Sequence, residues 1–160
     1  MKLRTVVAAI LLVTGLTAQA QSEQSREPLR LGVSIMPGVS LNNPSNFVLG
    51  ADLRLQQSIG NSVSWILTSG YTHFFWDGGH TGYIPVKGGL KVFATPALYF
   101  AGEAGAGFGT QSGTGTSFVY SPSIGTIVAR DWDISVKYED FTKYSATKQL
   151  ALRVAYGFKL

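Results

Sequence analysis

The 160-residue sequence contains no cysteine, and only 14% of its residues are charged. The absence of cysteine excludes a disulfide scaffold and a metal site built on thiolates. Charged residues normally make up about a quarter of a soluble domain, so this chain has too few of them for an ordinary water-facing surface. Because 45% of the residues are hydrophobic, intrinsic disorder is excluded as well.

The N-terminal segment has the three parts of a secretory signal peptide. A positively charged start is followed by an apolar run and by alanines at positions 18 and 20. The apolar run is about half as long as the roughly 20 residues that a spanning helix needs. The predicted organisation is a signal peptide at residues 1–20, a short periplasmic leader at 21–27 and a single domain at 28–160.

The charge of the chain after residue 20 does not indicate a nucleic-acid partner. Lys2 and Arg4 belong to the predicted signal peptide, and without them 11 basic residues face 9 acidic ones. Proteins that bind nucleic acid through phosphate contacts carry a much larger basic excess.

Apolar and polar residues alternate in eight segments, which is the pattern of β-strands with one apolar face. The predicted strands are residues 29–41, 47–57, 62–75, 83–93, 96–109, 118–129, 132–141 and 150–160. Longer connections, including residues 77–82, alternate with shorter ones, as in a meander whose two ends differ. The predicted fold is all-β, an eight-stranded antiparallel up-and-down barrel, because closure leaves no exposed sheet edge.

The alternation does not by itself show whether the apolar face points outward or inward. A transmembrane barrel turns it toward lipid, whereas a soluble calycin-like carrier uses it to line a pocket for an apolar ligand. The other face consists of small residues and a few charges of both signs, unlike a surface rich in lysine and glutamate. We therefore predict a transmembrane barrel whose lumen holds these charges: Asp52, Arg54, Lys87, Glu103, Lys137, Glu139 and Arg153.

Aromatic residues near both ends of the strands predict two interfacial girdles. The girdle beside the longer connections comprises Phe74, Phe75, Trp76, Tyr83, Phe118 and Tyr120. The girdle beside the shorter connections comprises Phe93, Tyr99, Trp132 and Phe158. The strand lengths also suit a tilted membrane strand of roughly 9 to 11 residues.

The strand count, the loop asymmetry, four of the inward charges and the alternating end Tyr156-Gly157-Phe158-Lys159-Leu160 resemble one known family. These are the small eight-stranded outer-membrane barrels of Gram-negative bacteria, of the OmpA-transmembrane and OmpX type. The resemblance implies a monomer in the outer membrane that contacts lipid and lipopolysaccharide. It also implies that Tyr156, Phe158 and Leu160 form the signal for the barrel-insertion machinery, although the family usually ends in an aromatic residue.

The lumen charges are compatible with two functions. Paired with one another, they would plug the barrel, which would then have a structural or interaction role. Lining an open bore, they would make a narrow pore for small ions. Eight strands leave little free bore, which favours the plug.

The sequence offers little for catalysis. His73 and His80 are its only histidines, and Asp77 lies between them. With a serine they would form the group that a lipid-modifying barrel enzyme needs, but a glycine-rich turn is the ordinary place for an exposed histidine. Two histidines are also fewer than the ligands of a tight metal site. We predict no enzymatic activity, no metal and no cofactor.

Overall fold

The computed structural model describes residues 28–160, so the predicted signal peptide and leader lie outside the described residues. Eight strands follow one another: β1 (Arg30–Ser40), β2 (Phe47–Ser58), β3 (Val63–Trp76), β4 (Gly79–Phe93), β5 (Leu98–Gly109), β6 (Thr116–Ala129), β7 (Trp132–Phe141) and β8 (Lys148–Lys159). Each strand pairs with its sequence neighbours in antiparallel fashion, and β1 pairs with β8 to close the barrel. Residues 28–160 contain no helix that is long and apolar enough to cross a membrane.

The outer wall of the barrel is apolar and the interior is polar. Along β2, Leu53 is 56% exposed while its neighbours Asp52 and Arg54 are each 4% exposed. This orientation is the inverse of a soluble protein and suits a wall that faces lipid. It confirms the predicted eight-stranded transmembrane barrel, and a soluble carrier would require the opposite orientation.

One predicted connection is wrong. β3 and β4 remain paired as far as Trp76 and Gly79, so residues 77–82 are not a long loop, and only Asp77 and Gly78 form the turn. Gly78 has a φ of +82°, which glycine adopts without steric cost. Gly82, which also indicated a loop, has a packing role instead, since a Cβ there would meet the hydroxyl groups of two neighbouring side chains.

The connections still differ between the two ends. At one end, hereafter the outer end, three connections have six residues each, namely 41–46, 110–115 and 142–147. At the other end, hereafter the inner end, the connections are residues 59–62, 94–97 and 130–131. The polypeptide also enters and leaves the barrel at the inner end.

Glycines make room for the charged side chains of the lumen. Lys87 is paired with Gly105 across β4 and β5, and Glu103 is paired with Gly89 across the same two strands. A Cβ on either glycine would lie 2.0 Å from a backbone carbonyl oxygen of the neighbouring strand. These strands therefore approach each other at positions where only glycine fits.

Candidate functional site

A connected network of ion pairs crosses the middle of the lumen. All seven predicted lumen charges lie there, and none is more than 4% exposed. Arg54 Nη2 lies 2.8 Å from Glu103 Oε2, and Arg153 Nη2 lies 3.2 Å from Asp52 Oδ1. Lys87 forms a third pair with Glu139. An isolated charge is costly in such an interior, so each charged group is stabilised by the opposite charge of its partner.

Lys137 joins these pairs into one network. Its Nζ lies 3.6 Å from Asp52 Oδ2, 3.9 Å from Glu103 Oε2 and 3.5 Å from Glu139 Oε1. One ammonium group is thus shared by carboxylates from three different strands. Gln149 donates a further hydrogen bond of 2.8 Å to Glu139 Oε2. The network therefore ties opposite walls of the barrel together.

Two further charged residues lie in the lumen that the predicted set of lumen charges does not include. Lys91 is 2% exposed, and its Nζ lies 3.4 Å from Asp133 Oδ2. Asp133 also accepts hydrogen bonds from Arg153 Nη1 at 3.0 Å and from the Tyr99 hydroxyl group at 2.9 Å. Lys91 lies on the same strand face as Lys87, so the period of two was the signal that placed it inside.

An aromatic layer lies in the lumen between the charged network and the outer end. Its members are fully buried: Val48, Phe74, Tyr83, Val119 and Phe141. The rings of Tyr83 and Phe141 stack with their centroids 4.3 Å apart. Phe74 packs edge-on against both of them. These apolar side chains thus pack against one another across the lumen on the outer side of the network.

The girdle prediction is wrong for half of its residues. Phe74, Trp76, Tyr83, Phe93 and Tyr99 are buried or half-buried in the lumen. Consecutive residues of a strand point to opposite sides of the sheet, so nearness to a strand end does not decide which aromatic residues meet lipid. Those that are exposed on the outer wall are Phe75, Phe118, Tyr120, Trp132 and Phe158.

The inner half of the lumen holds a cavity of about 540 Å³. It lies among the three inner connections and reaches Arg54, Lys91 and Arg153 at its floor. The two halves of the lumen therefore differ, because one is packed with rings and the other is an open vestibule with charged groups at its floor and mouth.

Within residues 28–160, neither histidine is hydrogen-bonded to Asp77. His73 Nδ1 shares a 2.8 Å hydrogen bond with the Tyr71 hydroxyl group, and the His73 and His80 rings stack 5.3 Å apart. His73 also packs against Phe75 on the outer wall. In the part of the chain that the structure describes, no three or more His, Cys, Asp or Glu side chains are grouped as metal ligands.

Comparison with known proteins identifies the fold. No family model and no curated protein sequence matches this chain. Among solved structures, Ail, the attachment invasion locus protein of Yersinia pestis, is similar with a TM-score of 0.59 and 17% identity, covering 82% of this chain and 99% of Ail. Neisserial surface protein A gives a TM-score of 0.59 at 11% identity, covering 86% of this chain and all of that one. A designed transmembrane barrel gives 0.56 at 16% identity, covering 86% of this chain and 100% of that one.

The chain has the fold of the small outer-membrane barrels. At these identities the likeness concerns the fold, and together with the apolar wall it supports the predicted location in the bacterial outer membrane. In such barrels the short turns face the periplasm and the longer loops face outward. The aromatic layer then lies on the external side of the lumen, and the vestibule opens toward the periplasm.

Tyr156 and Phe158 lie on the outer wall near the end of β8, and Leu160 follows the strand and is 66% exposed. Tyr156 packs against Trp132 with ring centroids 5.1 Å apart, and Phe158 is 45% exposed. Their recognition by the insertion machinery stays a prediction.

Proposed function

We propose that this protein is a closed, monomeric outer-membrane barrel with a structural or interaction role. The observation that carries the proposal is the aromatic layer of Phe74, Tyr83 and Phe141 stacked above the charged network. An ion that crossed the lumen would have to separate these rings and then break ion pairs that span the barrel. A narrow pore is the second candidate, because the same charges would select ions if the layer opened.

The outer loops support a compact rim rather than a large receptor surface. Asn42 Nδ2 donates a 2.6 Å hydrogen bond to the Ala146 carbonyl oxygen, and Lys143 Nζ donates one of 2.8 Å to the Thr114 carbonyl oxygen. Three loops are therefore tied to one another. Apart from Lys143, the charged residue of the outer connections is Asp77.

This rim gives little support for a polyanionic partner. Ail was solved in complex with the heparin analogue sucrose octasulfate. A sulfated ligand is bound by clustered basic groups, whereas Lys143 is the single base of the outer connections and already contacts a carbonyl group.

Contacts with lipid and lipopolysaccharide are better supported. A polar cluster lies on the outer wall near the outer end, where Lys148 Nζ is 3.7 Å from Asp140 Oδ2. The hydroxyl groups of Tyr120 and Tyr138 each donate a 3.2 Å hydrogen bond to the same oxygen. Tyrosine and lysine at this height suit a membrane interface, where their polar ends reach the headgroups.

The first experiment tests whether the chain forms a barrel and whether that barrel is closed or conducts ions. The chain without its predicted signal peptide is refolded in detergent, and boiled and unboiled samples are compared on a denaturing gel. We expect the unboiled band to shift and the protein to show no steady conductance in planar bilayers. A steady unitary current that changes in Lys87→Gln would overturn the closed barrel and establish the narrow pore.

A matched pair of variants tests the aromatic layer. Phe141 is fully buried in the layer, whereas Phe118 is 57% exposed on the outer wall at the same end. We expect Phe141→Ala to produce current openings and Phe118→Ala to produce none. Equal behaviour of two correctly folded variants would show that the layer does not seal the lumen.

Catalysis is not supported by the arrangement of the histidines. His73 is hydrogen-bonded to a tyrosine hydroxyl group instead of a carboxylate. It therefore lacks the carboxylate partner that orients a histidine as a general base. A lipid-modifying activity in the refolded protein that disappears in His73→Ala would contradict this conclusion.

A further inference from the structure

The vestibule at the inner end is lined by more bases than acids. Its walls carry the charged groups of Arg30, Arg54, Lys91, Arg130, Arg153, Asp131 and Asp133. Arg54 and Arg153 are neutralised one layer deeper by Glu103 and Asp52. Those two carboxylates are also shared with Lys137. Counted together with the network, seven bases therefore face five carboxylates, and two positive charges are unmatched.

The deep part of this imbalance lies at Lys91. Its ammonium group approaches Asp133 only to 3.4 Å, and Asp133 is also the acceptor for Arg153 at 3.0 Å. Lys91 Nζ otherwise rests 3.7 Å from the ring centre of Tyr99. A buried ammonium group that shares one carboxylate with a guanidinium group has unused capacity to bind an anion.

The rest of the excess positive charge lies at the mouth of the vestibule. Arg30 Nη2 lies 2.9 Å from Asp131 Oδ1, and both side chains are 28% exposed. Arg130 also lines the mouth and forms no ion pair within residues 28–160. A ligand that enters from the periplasm thus meets arginine at the mouth and lysine at the floor.

We propose that the vestibule binds a small anion carrying one phosphate group, held between Lys91 at the floor and Arg30 and Arg130 at the mouth. A phosphate group carries a charge of about −1.5 to −2 at pH 7, comparable to the two unmatched positive charges, and arginine and lysine are the usual phosphate ligands of proteins. A cavity of about 540 Å³ is of the size that encloses a small organic ligand. The site is independent of whether the outer aromatic layer is sealed.

The test is a titration of the isotope-labelled barrel in an uncharged maltoside detergent with inorganic phosphate. Sodium chloride keeps the ionic strength constant, so that general screening does not change. We expect saturable amide shifts confined to the vestibule, around Lys91 and Asp133. Shifts that do not saturate, or that appear equally at the outer loops, would show nonspecific attraction and overturn the proposal.

Two substitutions are expected to act in opposite directions. Lys91→Met removes the floor charge while keeping a side chain of similar length, and we expect phosphate affinity to fall about tenfold. Asp131→Asn removes the carboxylate that competes for Arg30, and we expect affinity to rise. Lys143→Gln, at the opposite end of the barrel, removes the same charge as Lys91→Met and should leave affinity unchanged.

These variants keep the proposal falsifiable if one of them misfolds. Heat-modifiable migration first shows which variants form the barrel. Asp131 is partly exposed, so its variant tests the site even if Lys91→Met does not fold. Two results would contradict a localised site. One is a phosphate affinity of Lys143→Gln as weak as that of Lys91→Met, and the other is no gain of affinity in Asp131→Asn.

The phosphate group has two sources, a soluble compound or a phospholipid headgroup. The barrel is placed in nanodiscs of phosphatidylcholine, with or without phosphatidylglycerol, and titrated with glycerol 3-phosphate. If phosphatidylglycerol alone shifts the amide signals near Lys91 and blocks the titration, the ligand is a headgroup. If glycerol 3-phosphate binds equally in both discs, it is a soluble compound. Binding from neither source would overturn the proposal.

Discussion

The substitution Glu103→Gln tests whether the lumen is a dry, paired network. Glu103 Oε2 lies 2.8 Å from Arg54 Nη2, with the two side chains 0% and 4% exposed. At an effective dielectric constant of about 20, that separation corresponds to an attraction of roughly 6 kcal/mol. Part of it is offset because the amide is cheaper to bury than the carboxylate. We therefore expect a loss of about 3 kcal/mol in the free energy of unfolding, since Arg54 stays buried without its partner.

The assay is urea unfolding of the refolded barrel in phospholipid vesicles, followed by tryptophan fluorescence. Asp131→Asn is the matched control, because its pair with Arg30 has a similar length of 2.9 Å but both side chains are 28% exposed. An exposed pair of this kind contributes about 0.2–1 kcal/mol. The double substitution Arg54→Met with Glu103→Leu is expected to cost less than Glu103→Gln alone. A loss for Glu103→Gln no larger than that of the control would show a hydrated lumen and refute the reasoning.

Three further predictions test the strand geometry and the two faces. Gly89→Ala is expected to impair refolding, because its Cβ would lie 2.0 Å from a carbonyl oxygen of the neighbouring strand, whereas Gly88→Ala meets open space and should give normal heat-modifiable migration. Leu53→Arg puts a charge on the lipid-facing wall, and we expect urea unfolding to show a loss of about 2–4 kcal/mol; a negligible loss would contradict that orientation. Phe74→Ala empties part of the buried layer and should cost about 3–5 kcal/mol, with a smaller loss for Phe75→Ala; equal losses would contradict the placement of Phe74 in the lumen.

Much of the fold follows from a period of two in the sequence. Alternation along β2 places Leu53 outside and Asp52 inside without any knowledge of the partner strands. The same rule places Lys91 in the lumen beside Lys87, although the predicted set of lumen charges does not include Lys91. The rule also assigns Phe74 and Phe75 to opposite faces, which the girdle prediction ignored.

The pairing inside the lumen does not follow from the sequence. Which carboxylate meets Arg54 depends on the tilt and stagger of strands that are far apart in the chain. Glu103 is reached across the barrel, and Lys137 contacts three carboxylates whose heights only the closed structure defines. The turn at Asp77-Gly78 shows a related limit, because the sequence does not show that a glycine beyond the turn stays in the strand as a packing position.

The chemistry of the inward positions changes with height along the barrel, and this order bears on function. On β4 the inward residues run from Tyr83 in the aromatic layer through Lys87 in the ion-pair network to Lys91 in the vestibule. β7 follows the same order from Phe141 to Asp133. A barrel that served only as a rigid anchor would gain most stability from an interior packed throughout. In the closed barrel proposed above, this open volume with basic groups lies at the inner end, so we expect a ligand of the vestibule to enter from the periplasm.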